Sequence, residues 1–293
     1  MKYYLTIAAM FKDEERYLHE WITFHLSRGV EHIYLYDNSS TDNSHSVIAP
    51  FSASGEVTLI DWPKPITEGS QTDAANDALA RAKSESKWLA FIDIDEFLFS
   101  PLEHLPTVLR EYENEVGIEV NWVCYGSSRH ISTPSRSVRE SFLYRAPLSW
   151  QRNRQFKCIV QTEAATEKTP FDHLWKFSGH QRSVNEERKV LGIKEHSFFF
   201  RFERWLHERA PRIHRKASWK FPLLFNPYFR INRPVSVRRL RINHYIVRSA
   251  EEYAQKQARH GDHRKGAYSE EFFRYHDRNE VYDPIIAELD QVS

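Results

Sequence analysis

Lys87-Trp-Leu-Ala-Phe-Ile-Asp-Ile-Asp-Glu-Phe-Leu98 is the stretch on which the reading of this chain turns. Leu89 to Ile92 form a short apolar run without polar alternation, the pattern of a strand buried on both faces. Asp93, Asp95 and Glu96 follow at once. In an open α/β sheet, ligands collect outside the carboxyl ends of the strands, so these acids fall where chemistry is done. A carboxylate at the mouth of an apolar strand is costly unless a cation meets it. Two aspartates one residue apart suit a divalent ion that carries phosphate oxygens, because Mg²⁺ and Mn²⁺ are hard ions that take oxygen ligands. Asp-x-Asp is also common in plain solvated loops, so its meaning depends on its surroundings.

Upstream, Tyr3 to Ala9 reads as a first strand, and Lys12-Asp-Glu-Glu15 supplies the acids that favour a helix start. Tyr17, Leu18, Trp21, Ile22, Phe24 and His25 then recur at helical spacing, closed by Gly29. His25 on that apolar face reads as a core histidine. Val30 to Tyr36 is a second strand running into Asp37-Asn-Ser-Ser-Thr-Asp-Asn43, with Ser40 or Thr41 as the cap of a short helix. Glu56 to Ile60 is a third strand and Gln71 to Ala82 a helix of small residues. This alternation predicts a mostly parallel sheet with helices on its faces. Downstream, a helix is predicted over 104–113 and strands over 116–124, 157–160 and 239–246. A final helix over 249–260 opens with Ser249, Glu251 and Glu252. Between 129 and 236 the alternation decays, giving a decorated second half without repeats or a linker.

The 293 residues suffice for a sizeable core. No apolar run approaches the ~18 residues of a membrane span, and the short N-terminal apolar piece lacks a signal-peptide pattern. Two cysteines exclude a disulfide framework or a structural zinc site. The expected location is therefore the cytoplasm. Charge is segregated: residues 201–241 hold 12 Lys or Arg against Glu203 and Glu208, a local +10 in a chain of net +1. With Trp205, Trp219, Phe221 and Phe229 in the same segment, this composition suits an interfacial element docking on an anionic leaflet. It also suits a groove for an anionic glycan or a solvated face. A nucleic-acid-binding module is the rival from another class. The segment carries no nucleic-acid motif, and that reading leaves Asp93 and Asp95 without a role, so no nucleic acid partner is expected.

In order along the chain, Lys12-Asp-Glu-Glu-Arg-Tyr-Leu-His-Glu-Trp-Ile22, His25 with Gly29-Val30, Tyr36-Asp-Asn-Ser-Ser-Thr-Asp42 and Gln71 resemble the family 92 glycosyltransferases and related bacterial family-2-like enzymes. So do Trp88 to Leu98, Tyr125-Gly-Ser-Ser128, Lys157-Cys-Ile-Val160, and Asn243-His-Tyr245 with Ser249, Lys256 and Gly261. The resemblance is collinear over residues 3–261 and leaves 186–236 as a basic aromatic insertion or acceptor region, with 262–293 as a C-terminal helical extension.

The resemblance implies a GT-A type α/β fold, and transfer of a sugar from a nucleoside diphosphate sugar to a saccharide or lipid-linked saccharide acceptor. It implies a Mn²⁺ or Mg²⁺ ion held by Asp93 and Asp95. Asp13, Glu14 and Asp37 stand where such folds hold base and ribose, and Gln71 is counted with the nucleotide contacts. A late histidine completes the metal site: His244 by chain position, with His173 as runner-up. Lys256 is close enough in sequence to meet the diphosphate. The acid pair that marks the catalytic base in many family-2 enzymes is missing between Gly126 and His173. Asp172 and Glu140 are the candidates for it. That gap also keeps a non-catalytic nucleotide-sugar-binding protein among the alternatives. Surface-polysaccharide or glycolipid synthesis is the expected setting.

Overall fold

The structure, a computed structural model, describes residues 1–65, 68–169, 173–190, 209, 235–260 and 269–289. Strand β1 (Tyr3–Phe11) lies in parallel register with β2 (His32–Asp37) on one side and β4 (Ser86–Phe91) on the other. β3 (Val57–Asp61) extends the sheet beyond β2. Helices α1 (Glu15–Ser27), α2 (Ser44–Ala53) and α3 (Glu68–Glu85) make the crossovers. Both faces of this half are covered, as the unbroken apolar runs predict. Leu5, Ile7, Ala9, Trp88 and Ala90 pack with the α1 side chains Leu18, Trp21 and Ile22. Ala8, Tyr34, Tyr36, Leu89 and Phe91 meet Ala74, Ala75, Ala78 and Ala82 of α3. Alanines on that helix let its backbone approach the sheet closely.

After β4 the chain makes a return that the sequence did not announce. β5 (Glu96–Phe99) begins on the last acid of the Asp-x-Asp-Glu run and pairs antiparallel with β12 (Arg241–His244). The nine-stranded sheet runs β3-β2-β1-β4-β8-β6-β12-β5, with β11 (Val184–Asn185) also paired to β6. β4 and β5 thus sit far apart in strand order, yet only residues 92–95 connect them. A linker that short forces the sheet to curl. β6 (Gly117–Cys124) and β12 run parallel, while β8 (Phe156–Gln161) is antiparallel to both β4 and β6. Consequently β1, β2, β3, β4, β6 and β12 all deliver their carboxyl ends to one edge.

His25 is a core residue, as its place on the apolar face of α1 predicts. Its Nδ1–H donates to the Trp21 carbonyl at 2.8 Å and its Nε2 accepts from the Leu98 amide at 3.1 Å, tying α1 to β5. Burial, with a smaller push from Arg139, lowers its pKa to about 3, so the ring is neutral. Gly29 closes α1 at φ 92°, a left-handed conformation that favours glycine. The cap expected of Ser40 or Thr41 is not formed. α2 begins later, at Ser44, whose amide donates to Asp42 Oδ1, while Ser40 Oγ bonds to Asp37.

The second half holds α4 (Leu105–Arg110), α5 (Val138–Ser141), β7 (Tyr144–Arg145), the hairpin β9 (Ala165–Lys168) and β10 (Trp175–Phe177), and α6 (Ala250–His260). It ends with α7 (Glu270–His276), β13 (Val281–Tyr282) and α8 (Ile285–Glu288). The expected helical extension therefore carries a strand as well, paired with β7, and is stapled to the sheet. Asp277 and Asn279 accept from the Ser127 and Ser128 amides at 2.7 Å, and Asp283 pairs with Arg145 and Arg241. A Cβ on Gly126 would lie 2.5 Å from the Arg278 carbonyl oxygen, so glycine there serves this close approach.

Most of the basic aromatic segment, including Trp205, Trp219, Phe221 and Phe229, lies outside the described residues. Its two ends are joined. The buried Glu186 carboxylate accepts from Ser236 Oγ and from the amides of Arg238, Arg239 and Leu240, the last three at 2.9 Å.

Candidate active site

The edge at which the parallel strands end carries two groups of acids, neutralised in different ways. On the β1–β2 side the partners are near in sequence or belong to the adjoining loop. Asp37, the last residue of β2, accepts from the Ser40 amide at 3.0 Å and its hydroxyl at 2.5 Å, and contacts His45 Nε2 at 2.8 Å. Asp13, at φ 52°, accepts from the Thr41 amide at 2.6 Å, which locks the loop after β1 to the loop after β2. Asp61 ends β3 in register with Asp37, and the two form with His45 a group whose ligand atoms lie within 4.8 Å of one another.

On the β4–β12 side the partners come from across the sheet. Lys157, on β8, is 4% exposed and reaches Asp93 Oδ2 at 2.8 Å and Glu96 Oε2 at 3.4 Å. Burial of the ammonium is outweighed by Asp93 and then Glu96, which raise its pKa and keep it charged. Gln71 Nε2 lies 3.4 Å from Asp93 Oδ1, the far side of the same carboxylate. The Asp93 amide donates to Glu96 Oε2 at 2.9 Å, folding the acidic run back on itself. Glu96 is fully buried, its Oε1 has no partner, and burial raises its carboxyl to about 7 against the opposing pull of Lys157.

Asp95 faces three cations. Lys256 Nζ, one turn and a half into α6, is 2.7 Å from Oδ2, and His244 Nε2, the last residue of β12, is 3.5 Å from Oδ1. Burial favours the neutral acid, but Lys256, then His244 and Arg248, hold the carboxyl well below its usual range. Burial pulls the His244 imidazole down in turn, and Asp95 overrides this to raise it to about 10. A divalent ion would displace the His244 proton, as metal binding to imidazole does generally.

Asp95 and His244 are donors of the kind such an ion takes, although among the described residues the group with three ligand atoms within 4.8 Å of one another is Asp37, His45 and Asp61. A 3.5 Å separation is long for a hydrogen bond and about 0.5 Å wider than adjacent ligand atoms of an octahedral ion with ~2.1 Å bonds, so the two side chains would draw together on an ion. The donors, one carboxylate and one imidazole with Asp93 nearby, are the types that Mn²⁺ and Mg²⁺ sites use. Of the two expected histidines, His244 is the one beside Asp95. His173 packs on the same indole, its ring 5.2 Å from that of Trp122, whereas His244 lies 4.3 Å from it. Burial and then Lys157 lower the His173 pKa well below its usual value, leaving that ring neutral.

The remaining expectations disperse. Glu14 lies on the β1 loop with Oε2 buried, 3.7 Å from Arg248. Glu140 is exposed on α5 and accepts from Ser137 Oγ at 3.0 Å, serving its own short helix. Asp172 lies outside the described residues. Lys157 and Arg248 were not anticipated in any role, and Glu96 only as a member of the acidic cluster after the strand. For Lys157 a signal existed: a lone lysine within Phe156-Lys-Cys-Ile-Val160 is a cation inside an apolar strand. For Arg248 there was none.

Residues 2–203 match the model of glycosyltransferase family 92, and the chain belongs to that family. A family 92 protein of Ricinus communis is 31% identical over 211 residues, covering 67% of this chain and 35% of its own length. One of Oryza sativa subsp. japonica is 33% identical over 165 residues, 55% of this chain and 27% of its own. The chain thus spans about a third of the length of these curated relatives. Among solved structures, S. aureus TarS 1–349 in complex with UDP-GlcNAc aligns at a TM-score of 0.38 with 13% identity, over 70% of this chain and 66% of that one. Among the described residues no helix is long and apolar enough to cross a membrane.

Proposed function

We propose that the chain is a metal-dependent GT-A glycosyltransferase that takes a sugar from a nucleoside diphosphate sugar and delivers it to a saccharide or lipid-linked saccharide acceptor. The observation that carries this reading is the Asp95–His244 pair beside Lys256, at the carboxyl edge of a family 92 chain. Asp95 and His244, with Asp93, would hold Mn²⁺ or Mg²⁺, and the ion would supply positive charge for the departing diphosphate.

In this reading Lys256 turns its ammonium from Asp95 to a diphosphate oxygen, where charge develops as the bond to the anomeric carbon breaks. Lys157 and Gln71 hold the Asp93 carboxylate toward the ribose, while Asp13, Glu14 and Asp37 line the path to the base. The acceptor hydroxyl forms the new glycosidic bond and gives its proton to a carboxylate, for which Glu140 and Asp172 are put forward. The basic segment of 201–241 would meet the anionic partner, a leaflet beside a lipid-linked acceptor, in polysaccharide or glycolipid synthesis on the cytoplasmic side.

The test is thermal unfolding with each common nucleoside diphosphate, with and without Mn²⁺. A ligand at a hundred times its Kd stabilises the native state by about 2.7 kcal/mol. One nucleotide is expected to raise the melting temperature, and only with the metal present. No response to any nucleotide in the presence of Mn²⁺ would overturn the reading.

A further inference from the structure

Arg248 is buried where a buried arginine is hard to explain. Its side chain is 8% exposed, its Nε is buried without a partner, and its closest carboxylate, Glu14 Oε2, is 3.7 Å away, beyond hydrogen-bond range. The guanidinium carbon lies 3.4 Å from the centroid of the Tyr17 ring. Neither contact satisfies a planar fork of five N–H donors, and leaving charged donors unsatisfied in the interior is expensive. The backbone pays as well. Arg248 stands at φ 54°, a left-handed conformation unusual for a residue with a Cβ. The next residues hold it there: Ser249 and Glu252 exchange hydrogen bonds at the start of α6, and Tyr17 Oη donates to Glu252 Oε1 at 2.6 Å.

The location supplies a reason. Arg248 reaches the loop after β1 through Glu14 and stands two residues before α6, whose Lys256 meets Asp95 beyond the adjacent strand β4. Of the carboxylates around it, Glu252 serves Tyr17 and Ser249 and Asp95 serves Lys256 and His244, which leaves Glu14 as its ion-pair partner at a distance too long for a hydrogen bond. A guanidinium held with open donors beside a metal-type carboxylate matches a phosphate group, which it binds bidentately and more selectively than an ammonium does.

We infer that Arg248 binds the diphosphate of the donor, acting with Lys256 on the leaving group. The inference rests on the glycosyltransferase reading and extends it to a residue outside every recognised motif of the chain. A diphosphate there would meet the Nε donor that the fold leaves without a partner and offset the backbone strain at Arg248.

The test compares the nucleoside diphosphate that binds the parent with its monophosphate, by calorimetry in saturating Mn²⁺, for the parent, Arg248→Met and Arg248→Lys. Inorganic pyrophosphate with Mn²⁺ serves as a base-free probe. Arg248→Met is expected to weaken the diphosphate and pyrophosphate by at least about tenfold, and the monophosphate by less than about twofold. Arg248→Lys, which keeps the charge and loses the fork, should fall between. Unchanged diphosphate binding by a folded Arg248→Met would overturn the inference. So would equal weakening of mono- and diphosphate with a lowered melting temperature, since that marks a purely structural arginine. If Arg248→Met does not fold, the Arg248→Lys comparison decides on the same criteria. A parent that binds no nucleoside diphosphate with Mn²⁺ would instead remove the donor reading itself, and this one with it.

Discussion

The two sides of the carboxyl edge hold acids of the same kind in opposite circumstances. Asp13 and Asp37 are satisfied by hydroxyls and backbone amides of the 37–41 loop, and by His45 a few residues on. Asp93, Asp95 and Glu96 meet Lys157, His244 and Lys256, which come from three later elements of the chain, β8, β12 and α6. The first arrangement is a pair of loops tied into a rigid cradle. The second is a concentration of buried charge whose balance depends on the whole sheet being closed. In the first the partners are local and mostly neutral, and Asp37, His45 and Asp61 bring ligand atoms within 4.8 Å of one another; in the second the partners are distant in sequence and mostly charged.

The comparison can be broken most forcefully at Lys157. Lys157→Met leaves Asp93 and the fully buried Glu96 without their cation, and is expected to cost about 3 kcal/mol of folding stability in urea melts at neutral pH. A change below 1 kcal/mol would mean that the cluster is not held by that lysine. Next, Asp95→Asn should leave a folded protein whose nucleoside diphosphate affinity no longer responds to Mn²⁺, a loss of about a hundredfold relative to the parent in metal. Retained Mn²⁺ dependence would move the metal away from Asp95, toward the Asp37–His45–Asp61 group.

A smaller effect sharpens the contrast by probing a neutral buried group. His25 has a folded pKa of about 3 against about 6.5 in the unfolded chain. The unfolded state therefore binds the extra proton first, and stability is lost as pH falls below 6.5. Between pH 6.5 and 5 the loss from this one ring is about 2 kcal/mol. His25→Gln should narrow the difference between melts at the two pH values, and an undiminished difference would assign the pH dependence elsewhere. Smallest of all, Ser40→Ala on the cradle side removes one hydroxyl from Asp37 and should cost about 1 kcal/mol, because the Ser40 amide and His45 remain.

The same contrast explains what could be read in advance. β1 to β4 and their helices were legible because a parallel strand buried on both faces writes an unbroken apolar run, and α1 writes its stripe. Asp37, Asp93 and Asp95 were legible as strand-end acids, and His244 through family resemblance. β5 was not: it is four residues long and opens on a glutamate, and its partner β12 lies more than a hundred residues away. Glu96 therefore read as one more acid of the cluster after β4 when it is the first residue of a buried strand. Arg248 was invisible for a related reason. Nothing near it in sequence marks burial, and its neighbours Tyr17 and Glu14 are brought to it only when the sheet curls.

The clasp made by Glu186 has a consequence for how such a chain can vary. One carboxylate gathers the amides of Arg238, Arg239 and Leu240, so residue 186 and residues 238–240 are pinned together whatever number of residues separates them in sequence. The cost of tethering a loop grows only with the logarithm of its length, about 0.6 kcal/mol for each doubling. Sequence between the two pinned points could be lengthened, shortened or exchanged over evolutionary time at little expense to the clasp. Charge, aromatic content and partner choice could then be revised on one side of the clasp while the strand ends on the other stay in register.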